Sequence, residues 1–158
     1  ESGVKVISEL AVARAQEGAD LKVLLSGQLS EMGELREHAA QHAEAQKRAI
    51  AEKYRQRIAE FDTEGAVSDE RLATEIAVLA TKADVTEELD RLEAHIARGL
   101  TLLETEDAVG RDLGFLAQEL NREANTLCSK SAALDLTNTG LALKSVVDQF
   151  KEQAANVE

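Results

Sequence analysis

Apolar residues recur along this chain at three- and four-residue steps, the spacing that lines one face of an α-helix. Leu21, Leu25, Met32 and Leu35 open the pattern, and Ile50, Tyr54, Ile58 and Phe61 resume it. Between them the stripe thins to Ala39, His42 and Gln46, a face too weak to seat tightly in a core. The pattern predicts one or two long, partly exposed helices over residues 8–61, with Gly27 and Gly33 as candidate bend points. A rod of that length calls for a partner, either another helix of this chain or another subunit.

Residues 62–69 are polar, contain Gly65 and break the period. Ser68 is the predicted N-cap of the next helix, with Asp69 and Glu70 in a first turn where the helix dipole favours acids. That second helix carries Leu72, Ile76, Leu79, Val85, Leu89, Leu92, Ile96, Leu100 and Leu103, and turns over residues 104–110. A third begins near Arg111 and buries Leu113, Leu116, Leu120, Ala124 and Leu127. Breaks are expected at 129–131 and 135–138, and a last helix from about Thr139 through Leu143, Val147 and Phe150 to Val157. The expected fold class is all-α: a long N-terminal helix or coiled-coil hairpin plus a C-terminal antiparallel helical bundle. It divides into a helical arm (1–61), a linker (62–69) and a C-terminal helical domain (70–158).

Composition supports the helical reading. No proline occurs among 158 residues, and only 3% are aromatic, whereas β-sandwiches and barrels favour β-branched and aromatic residues. The length fits one domain or a piece of a larger protein, and a chain that starts at Glu1 and opens directly into a helical pattern is expected to be a fragment. The net charge of −12 lacks the basic footprint of an autonomous nucleic-acid binder, so no DNA is expected as a partner, and it does not suit an anionic membrane surface. No charge-free stretch reaches ten residues, so no membrane contact is expected. The single Cys128 excludes an internal disulfide and suits a reducing cytoplasm.

The densest polar stripe lies on the second helix, where Asp84, Glu88, Arg91 and His95 share a face beside the Leu89, Leu92 and Ile96 stripe. Glu119, Arg122, Glu123, Thr126 and Lys130 do the same on the third. If the two helices pack as a hairpin, carboxylates, an imidazole and guanidinium groups border one seam, the raw material of a metal-assisted phosphodiester site. The plain alternative is a solvated face: Glu87 with Arg91 and Glu119 with Arg122 are ordinary helical ion pairs. Asp84, Glu87, Glu88 and Asp90 crowd acids together with few bases, a repulsion that a cation would relieve. Residues 82–130 hold six Lys/Arg against eleven Asp/Glu, a balance of −5. A divalent cation would reverse that sign towards RNA phosphates, and mixed oxygen and nitrogen ligands suit Mn²⁺ or Mg²⁺ rather than structural zinc.

Weaker signals have plain readings. His38 and His42 stand four apart, but a helix contact explains them as well as a metal does. Cys128 reads as a packed thiol, and Gly110-Arg111 serves equally as a turn or as a phosphate contact at a helix start.

The run Val109-Gly-Arg-Asp-Leu-Gly-Phe-Leu-Ala-Gln-Glu-Leu-Asn-Arg-Glu-Ala-Asn-Thr-Leu-Cys-Ser-Lys130 resembles the C-terminal signature of the YicC-like endoribonuclease family. So does Lys82-Ala-Asp-Val-Thr-Glu-Glu-Leu-Asp-Arg-Leu-Glu-Ala-His95. The ending from Leu143 and the entry Ala13-Arg-Ala-Gln-Glu-Gly-Ala-Asp-Leu21 are similar to the family too, so the resemblance covers nearly the whole chain. It implies the helical C-terminal portion of a metal-dependent, RNA-cleaving, ring-forming homo-oligomer, a hexamer in the full-length protein, whose N-terminal α/β domain is absent here. By resemblance, catalysis falls to Glu88, His95 and Glu119, and metal ligation to Glu87, Glu88, His95, Glu119 and Glu123. Arg91, Arg111, Arg122 and Lys130 would hold RNA phosphates, while Asn121, Asn125 and Ser129 would orient groups. One departure stands out: Gly114 replaces the family's usual acid between Leu113 and Phe115, and Asp112 points about 200° away round the helix.

The leading expectation is a metal-dependent endoribonuclease subunit, impaired as an isolated fragment, located in the cytoplasm. The rival is a helical oligomerisation or interaction module without catalytic activity of its own.

Overall fold

A computed structural model describes residues 2–62, 64–105 and 107–157, without the side chain of Ser2, and the described residues form five helices and no strand. These are α1 (Ser2–Phe61), α2 (Asp69–Lys82), α3 (Thr86–Glu104), α4 (Gly110–Lys130) and α5 (Leu134–Ala154). The all-α expectation holds. No described helix is long and apolar enough to cross a membrane.

Four of the helices close a square. α1 packs on α3 and α5, and α4 packs on the same two. Cross-contacts fix their directions: Arg36 reaches Glu93 while Lys47 reaches Asp84, so α1 and α3 run antiparallel. Lys130 meets Glu88 while Arg91 meets Glu123, so α3 and α4 do too. Gly110 abuts Val157 and Gly140 abuts Leu127 and Cys128, which sets α5 against α4. The result is an up-down-up-down bundle whose core includes Leu25, Leu29 and Met32 of α1, Leu89 and Leu92 of α3, Leu116 and Leu120 of α4, and Leu143 and Phe150 of α5.

α1 is continuous over 60 residues, about 90 Å at the helical rise, and passes through Gly27 and Gly33 without interruption. The thin part of its stripe is nonetheless seated in the bundle. Leu25, Met32, Ala39 and Gln46 are buried at seven-residue steps, and Ala43 joins them. Small side chains let the neighbouring helices approach closely, which a count of large apolar residues misses. Before the bundle, Val4, Ile7 and Leu10 lie exposed. Beyond it, the last turns of α1 pair with α2, whose Ser68 hydroxyl accepts the Arg71 amide as an N-cap at 3.2 Å.

Three predicted boundaries are corrected. The single helix expected from residue 70 to 103 is broken at Ala83–Val85, where the Asp84 carboxylate accepts the Thr86 amide at 3.0 Å and its hydroxyl at 2.6 Å. That local bonding offers the backbone an alternative to helix. It turns the chain so that α3 enters the bundle with Val85 buried. The last helix starts at Leu134 rather than Thr139: Asp135 sits in its first turn, Leu136 is fully buried, and the break is confined to Ser131–Ala133. At the other end the helix stops at Ala154, so Val157 lies outside it.

Candidate metal and phosphate seam between α3 and α4

Along α3 the steps from Glu88 to Arg91 to His95 keep three polar side chains on the edge of its apolar face, and Glu119, Glu123 and Lys130 occupy the matching edge of α4. Antiparallel packing then pairs them in order. Lys130 Nζ donates to Glu88 Oε1 at 2.9 Å. Arg91 Nε lies 3.1 Å from Glu123 Oε2, and Arg91 Nη2 lies 3.4 Å from Glu87 and 3.7 Å from Glu88. The hydrogen bond to Glu123 raises the Arg91 pKa above its ordinary value.

Next to this pair, one donor atom each from His95, Glu119 and Glu123 lies within 4.8 Å of the others, the one such cluster among the described residues. Glu123 is 4% exposed, His95 half-buried and Glu119 exposed, so the group opens to solvent on its Glu119 side. His95 Nε2 is buried with no hydrogen-bond partner among the described residues, and Glu88 Oε2 is in the same state. A buried imidazole nitrogen left without a partner in a group with two carboxylates is a place where a cation can complete the bonding. One imidazole and two carboxylates fit the mixed donor set of Mn²⁺ or Mg²⁺.

The other predicted site residues fall elsewhere. Glu87 is exposed and reaches only Arg91. Arg111 stacks over the Phe115 ring at 5.7 Å, and Arg122 is exposed one turn from Glu119. Asn125 is exposed, Ser129 donates to the Thr126 carbonyl, and Asn121 Oδ1 is buried without a partner. His38 is exposed and His42 half-buried. Gly114 faces open space, so an acid would fit there without a clash. On a regular helix, however, it would point about 140° from Glu119 and about 180° from Glu123.

The acid crowd on α3 has a different resolution from the one its sequence suggests. Lys47 lies 3.8 Å from Asp84, and Arg36 reaches Asp90 at 3.8 Å and Glu93 at 2.9 Å while donating to the Leu89 carbonyl. α1 therefore balances Asp84, Asp90 and Glu93, while Arg91 and Lys130 balance Glu87 and Glu88, and the case for a metal rests on His95, Glu119 and Glu123 alone.

Sequence reasoning also passed over Gln46. It is 1% exposed, its Nε2 donates to the Ala83 carbonyl, and its Oε1 accepts the amides of Ala132 and Ala133 at 2.7 and 3.0 Å. One side chain thus pins the α2–α3 and α4–α5 junctions to α1. A polar residue at a seven-residue step in an apolar stripe was the available signal.

An up-down helical bundle with an imidazole–carboxylate cluster on one seam defines a class; the particular family comes from comparison. Residues 39–158 match the family described as "Endoribonuclease YicC-like, C-terminal", and the chain belongs to that family. It is 33% identical over 155 residues to the probable endoribonuclease YicC of Haemophilus influenzae, covering 97% of this chain and 53% of that protein. It is 38% identical over 115 residues to the probable endoribonuclease YicC of Clostridioides difficile, covering 70% of this chain and 39% of that protein. The chain thus spans about half or less of the length of the curated relatives it matches.

Proposed function

We propose that this chain is the helical part of a metal-dependent endoribonuclease that acts in the cytoplasm as a homo-oligomer, a hexamer when full-length. Family membership and the relatives' names support RNA phosphodiester cleavage as the activity. The observation that carries the site is the buried, unpartnered His95 Nε2 beside Glu119 and Glu123. These three residues would hold a divalent cation, which when bound supplies positive charge to a phosphate and acidifies water. Arg91 positions Glu123 and offers its exposed edge to a neighbouring phosphate. Glu88, 2% exposed and held by Lys130 and Arg91, acts as a positioning residue rather than touching RNA. Glu119, exposed and without an ion pair or hydrogen bond among the described residues, is the member of the cluster that substrate can reach.

The test uses the full-length protein. RNA cleavage should require Mn²⁺ or Mg²⁺, stop with EDTA, and be lost in His95→Ala and Glu119→Ala variants that keep the wild-type oligomer size. Undiminished cleavage by both variants would remove the seam as the site. One observation favours a second reading, a helical interaction module: Val4, Ile7 and Leu10 form an exposed apolar stripe on the overhang of α1. Stable assembly without metal-sensitive cleavage in the full-length protein would select it.

A further inference from the structure

Away from the seam, the last turns of α1, the end of α2 and the α4–α5 junction line an open cleft of about 440 Å³. Lys53, Arg57, Lys82 and Lys130 line it, and no carboxylate does. That concentration is unusual in a chain with 18 Lys/Arg against 30 Asp/Glu. Among the described residues Lys53, Arg57 and Lys82 form no ion pair, whereas Arg36, Lys47, Arg91 and Lys130 do. Three unpaired cations gathered beside Lys130, which is already held by Glu88, repel one another, and an anion offsets that repulsion. The Ala132 amide on its wall is already taken by Gln46. Side-chain cations would do the binding.

The cleft is larger than an inorganic anion needs and falls within the range of small-molecule sites. Besides Ser129 and Ser131, its remaining wall is apolar, with Ile50, Leu79 and the half-buried Tyr54 ring. Cations interleaved with an aromatic and aliphatic surface match a phosphate joined to a flat heterocycle. We propose that this cleft binds a nucleoside monophosphate unit, its phosphate on Lys53, Arg57 and Lys82 and its base against Tyr54. The unit arrives either as a free nucleotide or as the phosphorylated end of an RNA. The site shares only Lys130 with the seam region and needs no metal, so it stands or falls apart from the cleavage reading.

Calorimetric titration in EDTA tests it, with adenosine monophosphate, adenosine and inorganic phosphate as probes. Adenosine monophosphate should bind at least about tenfold more tightly than either fragment, and a Lys53→Gln/Arg57→Gln double variant should weaken it at least about tenfold. Tyr54→Ala should weaken the nucleotide while leaving phosphate unchanged. Both cations are exposed on α1, and Lys82→Gln gives an independent charge removal should the double variant fold poorly. A 5′-phosphorylated oligoribonucleotide that displaces the nucleotide, when its 5′-hydroxyl form does not, identifies an RNA end; no displacement identifies the free nucleotide. Equal affinity for phosphate and nucleotide, unchanged binding in the folded charge variants, or no binding at millimolar nucleotide overturns the proposal.

Discussion

Arg91 Nε and Glu123 Oε2 stand 3.1 Å apart across the α3–α4 seam, and Glu123 is at once the partner of that guanidinium and a member of the His95–Glu119 cluster. A metal ion and Arg91 would therefore compete for one carboxylate. Arg91→Gln should raise Mn²⁺ affinity by roughly threefold to tenfold, because a competing positive charge is gone. The check is the Mn²⁺ concentration that raises the melting temperature, compared between the two proteins. An unchanged or weaker response in the variant would mean the cluster does not hold the ion.

Gln46 is the most consequential polar residue of the core. Gln46→Ala removes three hydrogen bonds and strands two amides and one carbonyl at the junctions it pins. A loss of about 2–4 kcal/mol is expected, since each buried group left unpaired costs about 1–3 kcal/mol, partly recovered by water. Urea denaturation measures it, and a change under 1 kcal/mol (about fivefold in the folding constant) would show that the clamp is dispensable.

Gly99 is buried where α3 packs against Leu29 of α1 and Leu116 of α4. A Cβ there would lie 2.8 Å from Leu116 Cδ2 and 2.8 Å from Leu29 Cδ1, so two buried leucines have to move. Gly99→Ala gains helix propensity of about 1 kcal/mol yet crowds the core by about 1–3 kcal/mol, and net destabilisation is expected. Gly114→Ala, with open space around its Cβ, should be neutral or stabilising. Thermal melts of the two variants should shift in opposite directions or differ clearly in size.

Asp84 carries a pH dependence. Its hydrogen bonds to the Thr86 hydroxyl and amide, aided by Lys47 and Lys130, hold its pKa below the ordinary 3.8. A carboxylate with a lowered folded-state pKa contributes stability above its unfolded value and loses it as the pH falls through the folded one. Asp84→Ala should cost about 1 kcal/mol near neutrality, and the gap to wild type should narrow on acidification below the normal Asp range. A gap that is constant with pH would contradict the assignment.

Cys128 behaves oppositely. Burial pushes its thiol pKa above 9.0, with Lys144 only partly offsetting. Alkylation by iodoacetamide at pH 8 should be slower than that of a free cysteine and accelerate only at higher pH. Rapid modification near neutrality would refute a packed thiol.

The helical periodicity carried the fold class because the large apolar residues of α3, α4 and α5 repeat on one face each. It failed where alanine and glutamine did the packing on α1, since close approach depends on small volume and on bonds to distant junctions. The α2–α3 break was written in Asp84 followed by Thr86 and in the six-residue gap from Leu79 to Val85, which fits no helical face. The polar edges of α3 and α4 were legible as stripes. Their pairing depended on direction and register, which no single helix encodes. Arg36 and Lys47 were invisible as partners of the α3 acids because more than 35 positions separate each from its nearest acid there.

An uninterrupted α1 makes its two ends mechanically dependent. The bundle grips the middle like a fulcrum, leaving residues 2–20 as an outer arm of about 28 Å and residues 47–61 as an inner arm of about 22 Å. A tilt of about 10° would sweep the outer tip by about 5 Å and swing the inner one about 4 Å the other way. That swing would carry Lys53 and Arg57 relative to Lys130, so whatever grasps the amino-terminal arm acquires purchase on the cationic basin at the opposite end.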